Sequence, residues 1–305
     1  MILGIDLGGT SAKLGLIDRE GRVHARAAAD VSRDGYQRSI VDVALEAAKA
    51  FLQRENAEIE GVGISATGQI DDITGVVIGT NGKIPNYEGR DLKSAAEAAL
   101  GREAWALNDA NAAVLGECFA GAARGIDDVV MITLGTGVGG GIVTGGQLLR
   151  GNRGIAGELG HFTLYQDGLP CPCGKRGCYE NYAATTALVR RCEAASGRAG
   201  LDGRQIFDAA RAGDPAILEA LDAWLGDVAS GLSGLIHIFN PALVLVGGGV
   251  SVQEELLMDP LREKVRAQLM PRFSEGLRLE RCALGNDAGM VGAVKYWLDR
   301  QAARS

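Results

Sequence analysis

The sequence predicts an α/β protein made of two closely joined halves. Apolar strand-like segments alternate with amphipathic helical segments, which is the pattern of a mixed α/β fold. Each half opens with a strand–glycine turn–strand hairpin, the first over residues 1–18 and the second over residues 127–146. The length of 305 residues, without a Pro- or Ser-rich linker, favours two domains that pack closely. The shared plan of the hairpins predicts a duplicated unit.

The segments around the hairpins carry their own start and stop signals. Asp214 and Pro215 supply an N-cap and a first-turn proline for one helix, and Gly101 ends another. Ser251 and Glu254 predict a capping box for a late helix. In order, the other predicted elements are helix 40–51, strand 61–68, strand 76–79, helix 91–100, strand 104–109, helix 110–121, helix 183–195, helix 215–239, strand 241–251 and helix 288–301.

Composition and charge restrict the class of protein. Apolar residues make up 47% of the chain and charged residues 23%, enough for a large buried core. The net charge of −7 argues against a nucleic-acid backbone as the main partner. No run of eighteen apolar residues predicts a membrane span, and Asp6 interrupts the region where a signal peptide is apolar. We therefore expect a cytoplasmic protein without a membrane partner.

The stretch 157–180 concentrates residues that bind metals. It contains three of the six cysteines, in a C-x-C-x4-C spacing: Cys171, Cys173 and Cys178. His161 lies ten residues upstream, so the four side chains predict a closed, structural Cys3His zinc site. Gly174 and Gly177 give the backbone the freedom to turn the thiolates inward. A structural zinc has no open position for a water nucleophile, so its role would be to position nearby polar side chains.

A disulfide with one thiol left over is the competing interpretation of these cysteines. Nothing else in the sequence indicates an oxidising compartment, which favours the metal. Cys118, Cys192 and Cys282 are scattered among apolar residues and are predicted to be core residues.

Three glycine clusters follow apolar strands, at residues 6–10, 135–141 and 247–249. Together they predict an enclosure of backbone N–H groups for a polyphosphate, without the lysine of a Walker loop. In the first cluster we expect unencumbered N–H groups at Gly8, Gly9 and Thr10. Asp6, directly before them, is a candidate for holding hydrated Mg²⁺ near the phosphates.

A dinucleotide-binding fold is the rival interpretation, because the GTGVGG sequence at 135–140 resembles the G-x-G-x-x-G fingerprint. That fingerprint requires a helix after the glycines and an acidic residue about twenty positions further on. Here the sequence continues as a second strand and a turn, GIVTGGQLL, which counts against a dinucleotide site.

Asp109 lies at a predicted strand-to-helix junction and is the candidate general base. An N-cap role for the following helix is expected as well, and a helix N-terminus favours the charged carboxylate. In phosphoryl transfer the base orients a hydroxyl and accepts its proton late, so an ordinary carboxylate suffices. Asn108 beside it adds an amide suited to a sugar hydroxyl.

These motifs resemble the ROK family of bacterial sugar kinases, repressors and related open reading frames, within the actin/Hsp70/hexokinase-like ATPases. DLGGTSAK resembles the first phosphate motif, NDANAA the catalytic segment and LGTGVGGGIV the second phosphate motif, while GELGH with CPCGKRGCYE resembles the sugar and zinc signature. The resemblance covers essentially the whole chain. It implies two ribonuclease-H-like α/β domains with an interdomain cleft: residues 1–109 with the C-terminal helix 289–305 packing back on them, and residues 110–288 with the zinc-binding loop 157–180.

The resemblance also implies a role for each matching residue. Asp109 would take the proton from the 6-hydroxyl of a sugar that attacks the γ-phosphate of ATP. The sugar would be bound by Gly68, Asn81, Asn108, Glu158, His161 and Glu180, with His161 serving zinc and sugar through one ring nitrogen each. ATP and Mg²⁺ would be bound by Asp6, Gly8, Gly9, Thr10, Lys13, Thr136 and Gly137, and the adenosine by Gly247, Gly248 and Gly249. A homodimer or homotetramer is implied as well.

The substrate is less sharply indicated. Glu158, His161 and Glu180 together fit a pyranose with hydroxyls at C1 to C4, which favours glucose. The segment YENYAATTAL departs from the form common in glucokinases of the family, which leaves N-acetylmannosamine or another hexose or N-acetylhexosamine open. A non-catalytic sugar-sensing regulator and a sugar-independent, chaperone-like ATPase are the rival classes. DLGGT begins at residue 6, so we expect no DNA-binding domain ahead of it and no nucleic-acid partner.

Overall fold

The computed structural model describes residues 1–80, 82 and 84–304. The chain forms two compact units, which we call unit 1 and unit 2. Unit 1 comprises residues 1–125, 147–157 and 283 to the C-terminus, and unit 2 comprises residues 126–146 and 158–282. None of the described helices is both long and apolar enough for a bilayer crossing.

Strands and helices alternate along the described chain much as the hydrophobic pattern predicts. The elements are β1 (Ile2–Leu7), β2 (Ser11–Ile17), β3 (Val23–Asp30), α1 (Ile40–Arg54), β4 (Gly61–Ala66), β5 (Gln69–Ile70), β6 (Val77–Gly79), α2 (Leu92–Leu100), β7 (Ala104–Asn108), α3 (Asp109–Ala120), β8 (Val129–Leu134), β9 (Val138–Thr144), β10 (Gln147–Leu148), α4 (Glu180–Ala183), α5 (Thr185–Ser196), α6 (Gly203–Arg211), α7 (Pro215–Phe239), β11 (Leu243–Gly247), α8 (Asp259–Gln268), β12 (Arg278–Arg281) and α9 (Ala288–Ala302).

The main sheet of unit 1 has the strand order β3-β2-β1-β4-β7. β1 and β2 form the predicted antiparallel hairpin, with Ile2 opposite Ile17, whereas β1, β4 and β7 run parallel. The carboxyl ends of β1, β4 and β7 therefore lie at one edge of the sheet; β1 and β4 lead into glycine-containing turns, and β7 leads directly into α3. This edge carries the candidate residues of unit 1.

Unit 2 repeats this arrangement in the order β9-β8-β11-β12. β8 and β9 form an antiparallel hairpin, with Val129 opposite Val143, and β8, β11 and β12 run parallel. A hairpin followed by parallel strands thus occurs in both units, as the similarity of the two glycine hairpins predicts.

The boundary between the units differs from the predicted one between residues 109 and 110. The helix α3 belongs to unit 1, where it packs closely against α9. Glycines make this approach possible, because a Cβ on Gly116 would lie 2.3 Å from the Ala288 carbonyl oxygen and one on Gly292 only 1.6 Å from that of Ala112. The first boundary consequently falls between Gly125 and Ile126.

Several local features differ from the sequence-based expectations. The helix predicted over 183–195 is α5 (Thr185–Ser196), and the short helix α4 (Glu180–Ala183) that precedes it was not predicted. The capping box predicted at Ser251 and Glu254 is wrong: the Ser251 hydroxyl donates to the Gly248 carbonyl oxygen at 2.8 Å, and Gln253 is the residue at the N-terminus of the π-helical turn that follows. The strand β3 and the helix α6 were not anticipated.

Candidate functional site

Asp109 is the first residue of α3, directly after β7 ends at Asn108. The N-cap predicted at Asp109 is in fact Asn108, whose side-chain oxygen accepts hydrogen bonds from the N–H groups of Ala110 at 2.9 Å and Asn111 at 3.2 Å. Asp109 also accepts the Ala110 N–H, at 2.8 Å. The Asp109 carboxylate is thereby hydrogen-bonded to the first turn of α3, at the sheet edge where β1, β4 and β7 end.

Asn108 uses both ends of its side chain. Its oxygen caps α3, and its Nδ2 donates to the Gly68 carbonyl oxygen at 2.9 Å. An amide nitrogen carries two hydrogens, so with respect to the described residues one N–H of Asn108 remains to donate to a ligand, while the oxygen already accepts two bonds. The structure thus joins Gly68 to Asn108, as the prediction of a shared role requires. Asn81, the other sugar-binding candidate of this unit, lies outside the described residues.

Asp6 lies near the carboxyl end of β1 and contacts two polar side chains. Lys13 Nζ donates to one carboxylate oxygen at 3.1 Å and Ser65 Oγ to the other at 2.8 Å. The start of α9 approaches closely as well, since a Cβ on Gly289 would lie 2.7 Å from Asp6 Oδ1. A single carboxylate of this kind suits Mg²⁺, which keeps most of its waters in nucleotide sites.

The turn between β1 and β2 offers fewer free N–H groups than predicted. The Gly8 N–H donates to the Ser11 carbonyl oxygen at 2.9 Å, so the hydrogen bond that closes the turn uses it. The structure records no such acceptor for the N–H groups of Gly9 and Thr10, which remain the candidates of this turn among the described residues. Thr10 is exposed.

The second hairpin binds a carboxylate of its own chain. Glu180, the first residue of α4, accepts the Val138 N–H at 3.0 Å. A Cβ on Gly137 would lie 2.2 Å from Glu180 Oε2, so the glycine is needed for the carboxylate to approach the turn. The structure therefore joins Gly137 and Glu180, which the sequence assigned separately to ATP and to the sugar.

Unit 2 contains a cavity of about 980 Å³ beside the second hairpin. Of the predicted nucleotide residues, Thr136 and Gly249 line it, whereas Gly137, Gly247 and Gly248 do not. The remaining wall comes from α5, α6 and the turn after β11, including Thr185, Thr186, Gly203, Arg204, Phe207 and Gln253. Sequence reasoning missed these residues, although an aspartate three residues before Gln205 is a capping signal that predicts the start of α6.

The zinc candidates come together as predicted. The ligand atoms of His161, Cys171, Cys173 and Cys178 all lie within 4.8 Å of one another. Cys173 and Cys178 have their sulfur atoms 3.6 Å apart, and Cys171 Sγ is 3.8 Å from His161 Nδ1. Tetrahedral zinc, with bonds of about 2.0–2.3 Å, separates its ligand atoms by about 3.5–3.8 Å. The four residues therefore fit a tetrahedral Cys3His site.

The pKa values of the three thiols bear on how they would bind a cation. Burial raises the pKa of Cys171, and burial together with the neighbouring sulfurs raises the pKa of Cys178 to about 12. The backbone N–H of Lys175 lowers the pKa of the exposed Cys173. Sulfur–sulfur separations of 3.6 Å or more are far above the length of a disulfide, and all six cysteines are free thiols. Without a cation Cys171 and Cys178 are therefore protonated, and a bound metal would displace these protons and offset the charge of the thiolates.

The cysteine loop fixes the orientation of His161. Lys175 Nζ donates to the His161 carbonyl oxygen at 2.8 Å, and Nδ1 of the ring points toward Cys171. His161 ends a short 3₁₀ turn that begins after Glu158, whose carbonyl oxygen accepts the His161 N–H at 3.0 Å. The Glu158 carboxylate is exposed. With Nδ1 directed to the thiols, Nε2 is the nitrogen left for a second partner, as the predicted dual role requires.

Comparison with known proteins identifies relatives along the whole chain. A model of the ROK family matches residues 2–300. A glucokinase from Thermotoga maritima is 37% identical, with 98% of each chain covered. The structure of a ROK family glucokinase from Streptomyces griseus in complex with glucose and AMPPNP is 36% identical with a TM-score of 0.82, covering 98% of this chain and 99% of that chain. A ROK hexokinase from Thermus thermophilus is 35% identical with a TM-score of 0.86, covering 99% of both. The predicted fold is thereby confirmed.

Proposed function

The chain belongs to the ROK family, and we propose that it is an ATP-dependent kinase that phosphorylates the 6-hydroxyl of glucose. The observation that carries the proposal is the placement of Asp109 at the start of α3, beside an asparagine that caps the helix. This carboxylate occurs in a chain whose relatives over nearly its full length include glucokinases. The net charge and the cysteine cluster agree with a kinase of small neutral sugars.

In the proposed reaction Asp109 accepts the proton of the sugar 6-hydroxyl. The hydroxyl oxygen forms a bond to the γ-phosphorus of ATP, and the bond from that phosphorus to the bridging oxygen of ADP breaks. Most of the catalysis in such transfers comes from positioning and charge, so the carboxylate needs only to orient the hydroxyl and take its proton late. The remaining N–H of Asn108 would donate to a neighbouring sugar oxygen.

The other sugar contacts would come from Gly68, Asn81, Glu158, His161 and Glu180. Carboxylates accept hydrogen bonds from hydroxyls, and His161 can contribute Nε2 while Nδ1 faces the thiols. A zinc ion bound by His161, Cys171, Cys173 and Cys178 would be structural: it would neutralise the thiolates and fix the loop 157–180.

We assign two groups of residues to ATP. Gly9, Thr10, Lys13 and Asp6 are candidates for the phosphates and for Mg²⁺, which when bound offsets the negative charge of the transferring phosphoryl group. Thr136 and Gly249 line the 980 Å³ cavity, which is large enough for an adenosine. A cytoplasmic location and a homodimer or homotetramer are part of this proposal, and light scattering of the purified protein tests the latter.

A coupled ADP-release assay with Mg-ATP tests the function directly. The panel is glucose, mannose, fructose, N-acetylmannosamine and N-acetylglucosamine, with glucose expected to give the highest kcat/KM. A clear preference for N-acetylmannosamine or another sugar would correct the substrate. No release with any sugar would contradict the kinase and favour a non-catalytic sugar sensor, whereas equal release without sugar would favour a chaperone-like ATPase.

Asp109→Asn tests the base. Because an amide cannot accept the hydroxyl proton, we expect kcat to fall by roughly 10³-fold or more, with glucose binding by calorimetry within about three-fold of the wild type. Asp222→Asn, at an exposed aspartate paired with Lys264, is the matched control and should keep full activity. Unchanged turnover in Asp109→Asn would remove Asp109 from the mechanism.

Metal analysis tests the zinc site separately from activity. The purified protein should contain about one zinc per chain, and Cys171→Ser should lose most of it. Chelation should lower both thermal stability and affinity for glucose, because the loop that holds His161 would lose its cross-link. A protein without bound zinc after purification in zinc-containing buffer would contradict this part of the proposal.

A further inference from the structure

Tyr87 is a buried tyrosine near the candidate base that the kinase mechanism does not otherwise use. Its side chain is 1% exposed and packs in the apolar core of unit 1. The phenol hydroxyl donates to the Thr67 carbonyl oxygen at 3.0 Å. It thus contacts the turn directly after β4, at the sheet edge that carries the candidate residues.

The backbone that follows Tyr87 is hydrogen-bonded to β6. The Gly89 N–H donates to the Val77 carbonyl oxygen at 2.8 Å, and the Val77 N–H donates to the Arg90 carbonyl oxygen at 2.9 Å. These two bonds fasten the segment to β6, while the ring is fixed by the core. The hydroxyl is therefore a rigidly placed donor, because neither its backbone nor its ring is free to shift.

The turn that receives this hydrogen bond is intrinsically flexible. Gly68 has a φ of +93°, a conformation that only glycine adopts without strain, and glycine restrains its neighbouring peptides least. The Thr67 N–H donates to the Leu7 carbonyl oxygen at 3.0 Å, which fixes the start of the turn. The plane of the next peptide, between Thr67 and Gly68, is set by the hydroxyl of Tyr87.

The same turn positions the base through Asn108. The Gly68 carbonyl oxygen accepts Asn108 Nδ2 at 2.9 Å, and the other end of that amide caps α3, whose first residue is Asp109. The charge of Asp109 acts on the phenol directly as well: burial first, and then this carboxylate, raise the pKa of Tyr87 above its usual range.

We propose that Tyr87 is a positioning residue for Asp109: its hydroxyl fixes the Thr67–Gly68 peptide, which fixes Asn108 and hence the orientation of the base. This inference rests on the proposed kinase function. Without the hydroxyl, the half-buried Thr67 carbonyl loses its donor, and the peptide rotates toward another partner at the flexible Gly68. That rotation shifts the adjoining Gly68 carbonyl oxygen, which accepts Asn108 Nδ2, and thereby displaces the Asp109 carboxylate from the sugar hydroxyl.

Tyr87→Phe tests the proposal, because it removes the hydroxyl and keeps the ring. Small misplacements of a catalytic group are costly, so we expect kcat to fall by about ten-fold while KM for ATP stays within about two-fold. Tyr296→Phe is the matched control: it also removes a buried hydroxyl of unit 1, one that donates to the Asp72 carbonyl oxygen. It should lower stability at least as much and leave kcat within about two-fold.

A second readout separates positioning from general weakening of the fold. If Tyr87 acts through Asn108, then in an Asn108→Ala background the change Tyr87→Phe should alter kcat by less than two-fold. Equal ten-fold losses in both backgrounds, or unchanged kcat in Tyr87→Phe alone, would overturn the proposal. A wild-type protein without sugar-dependent ADP release would instead overturn the kinase function, and the inference with it.

Discussion

At the scale of single residues, Glu117 shows how a buried charge joins distant segments of unit 1. Its carboxylate is fully buried at the end of α3. Oε2 accepts the N–H groups of Ala122 at 2.8 Å and Ala283 at 3.0 Å, and Oε1 accepts that of Leu284 at 2.8 Å. The residue thereby fastens the chain that leads into α9 to the helix that begins with Asp109.

We expect Glu117→Gln to lower the free energy of unfolding by about 1–3 kcal/mol. The amide has the same shape but only one accepting oxygen, so at least one of the three N–H groups loses its partner inside the core. Urea unfolding followed by far-UV circular dichroism measures the loss. Glu58→Gln, at an exposed glutamate of the same unit, should change stability by less than about 0.5 kcal/mol. Equal stabilities of the two variants would contradict the role of Glu117.

Residue types predicted the candidate residues but did not assign the structural role of each. Asn108 and Asp109 are both good N-caps, and only the backbone geometry decides that Asn108 takes this position. The sequence likewise gave no reason to single out Tyr87, because its partner is a backbone carbonyl from a distant turn. The N–H of Gly8, predicted to be free, is used by the hydrogen bond across its own turn.

At the scale of elements, the loop 157–180 is shaped by glycines that differ in what surrounds them. Gly174 and Gly177 both have positive φ, at +89° and +73°, as the sequence predicted. A Cβ on Gly177 would lie 1.7 Å from the Tyr165 carbonyl oxygen, whereas one on Gly174 would meet nothing within 4 Å. Gly177 is thus required for packing and conformation, and Gly174 for conformation alone.

This difference predicts unequal effects of two alanine substitutions. Gly177→Ala should displace the strand-like segment before Cys178 and reduce zinc content after dialysis to below about half of the wild-type value. Gly174→Ala introduces only the strain of a positive φ, about 1 kcal/mol, and should keep its zinc. Atomic absorption on dialysed proteins measures both, and equal zinc contents would contradict the close contact with Tyr165.

Elements with strong periodicity or clear caps were predictable, and short or weakly patterned ones were not. The helix α7 begins at Pro215 after Asp214 and ends at Phe239, as its capping signals predict. The strand β3 escaped notice because its half-buried face consists of Val23 and three alanines, which are only weakly apolar. The helix α6 is short, and its signal, the box formed by Asp202 and Gln205, was overlooked.

At the scale of the whole molecule, the repeated hairpin revealed the two-unit plan but not the boundaries between the units. The predicted boundary between residues 109 and 110 ignores the packing of α3 on α9, which depends on Gly116 and Gly292, far apart in the sequence. The chain moreover crosses between the units several times, so segments 147–157 and 283–304 return to unit 1. Such returns are set by tertiary contacts, which local patterns do not encode.

Thiols in both units make the free energy of unfolding depend on pH in the alkaline range. Burial raises the pKa of Cys118 in unit 1 and of Cys192 in unit 2 to about 11, from 9.0 in the unfolded chain. Because the folded pKa is the higher one, the folded state favours the protonated thiol. This contribution is fully present below pH 9 and is lost as the pH rises toward 11.

Cys192→Ala isolates one of these thiols, since Cys192 is completely buried. The substitution lowers stability by a pH-independent amount through lost packing, and it also removes the titration. Between pH 8.5 and 10.5 we therefore expect the free energy of unfolding to fall by roughly 1–2 kcal/mol less in the variant than in the wild type. Urea unfolding measures both slopes, and the titration of the loop cysteines, which both proteins share, cancels in the difference between them. Tyr165, whose pKa a hydrogen bond to Asp227 raises to about 12, contributes equally to both proteins. Parallel slopes would mean that the Cys192 thiol ionises at the same pH in the folded and unfolded chains.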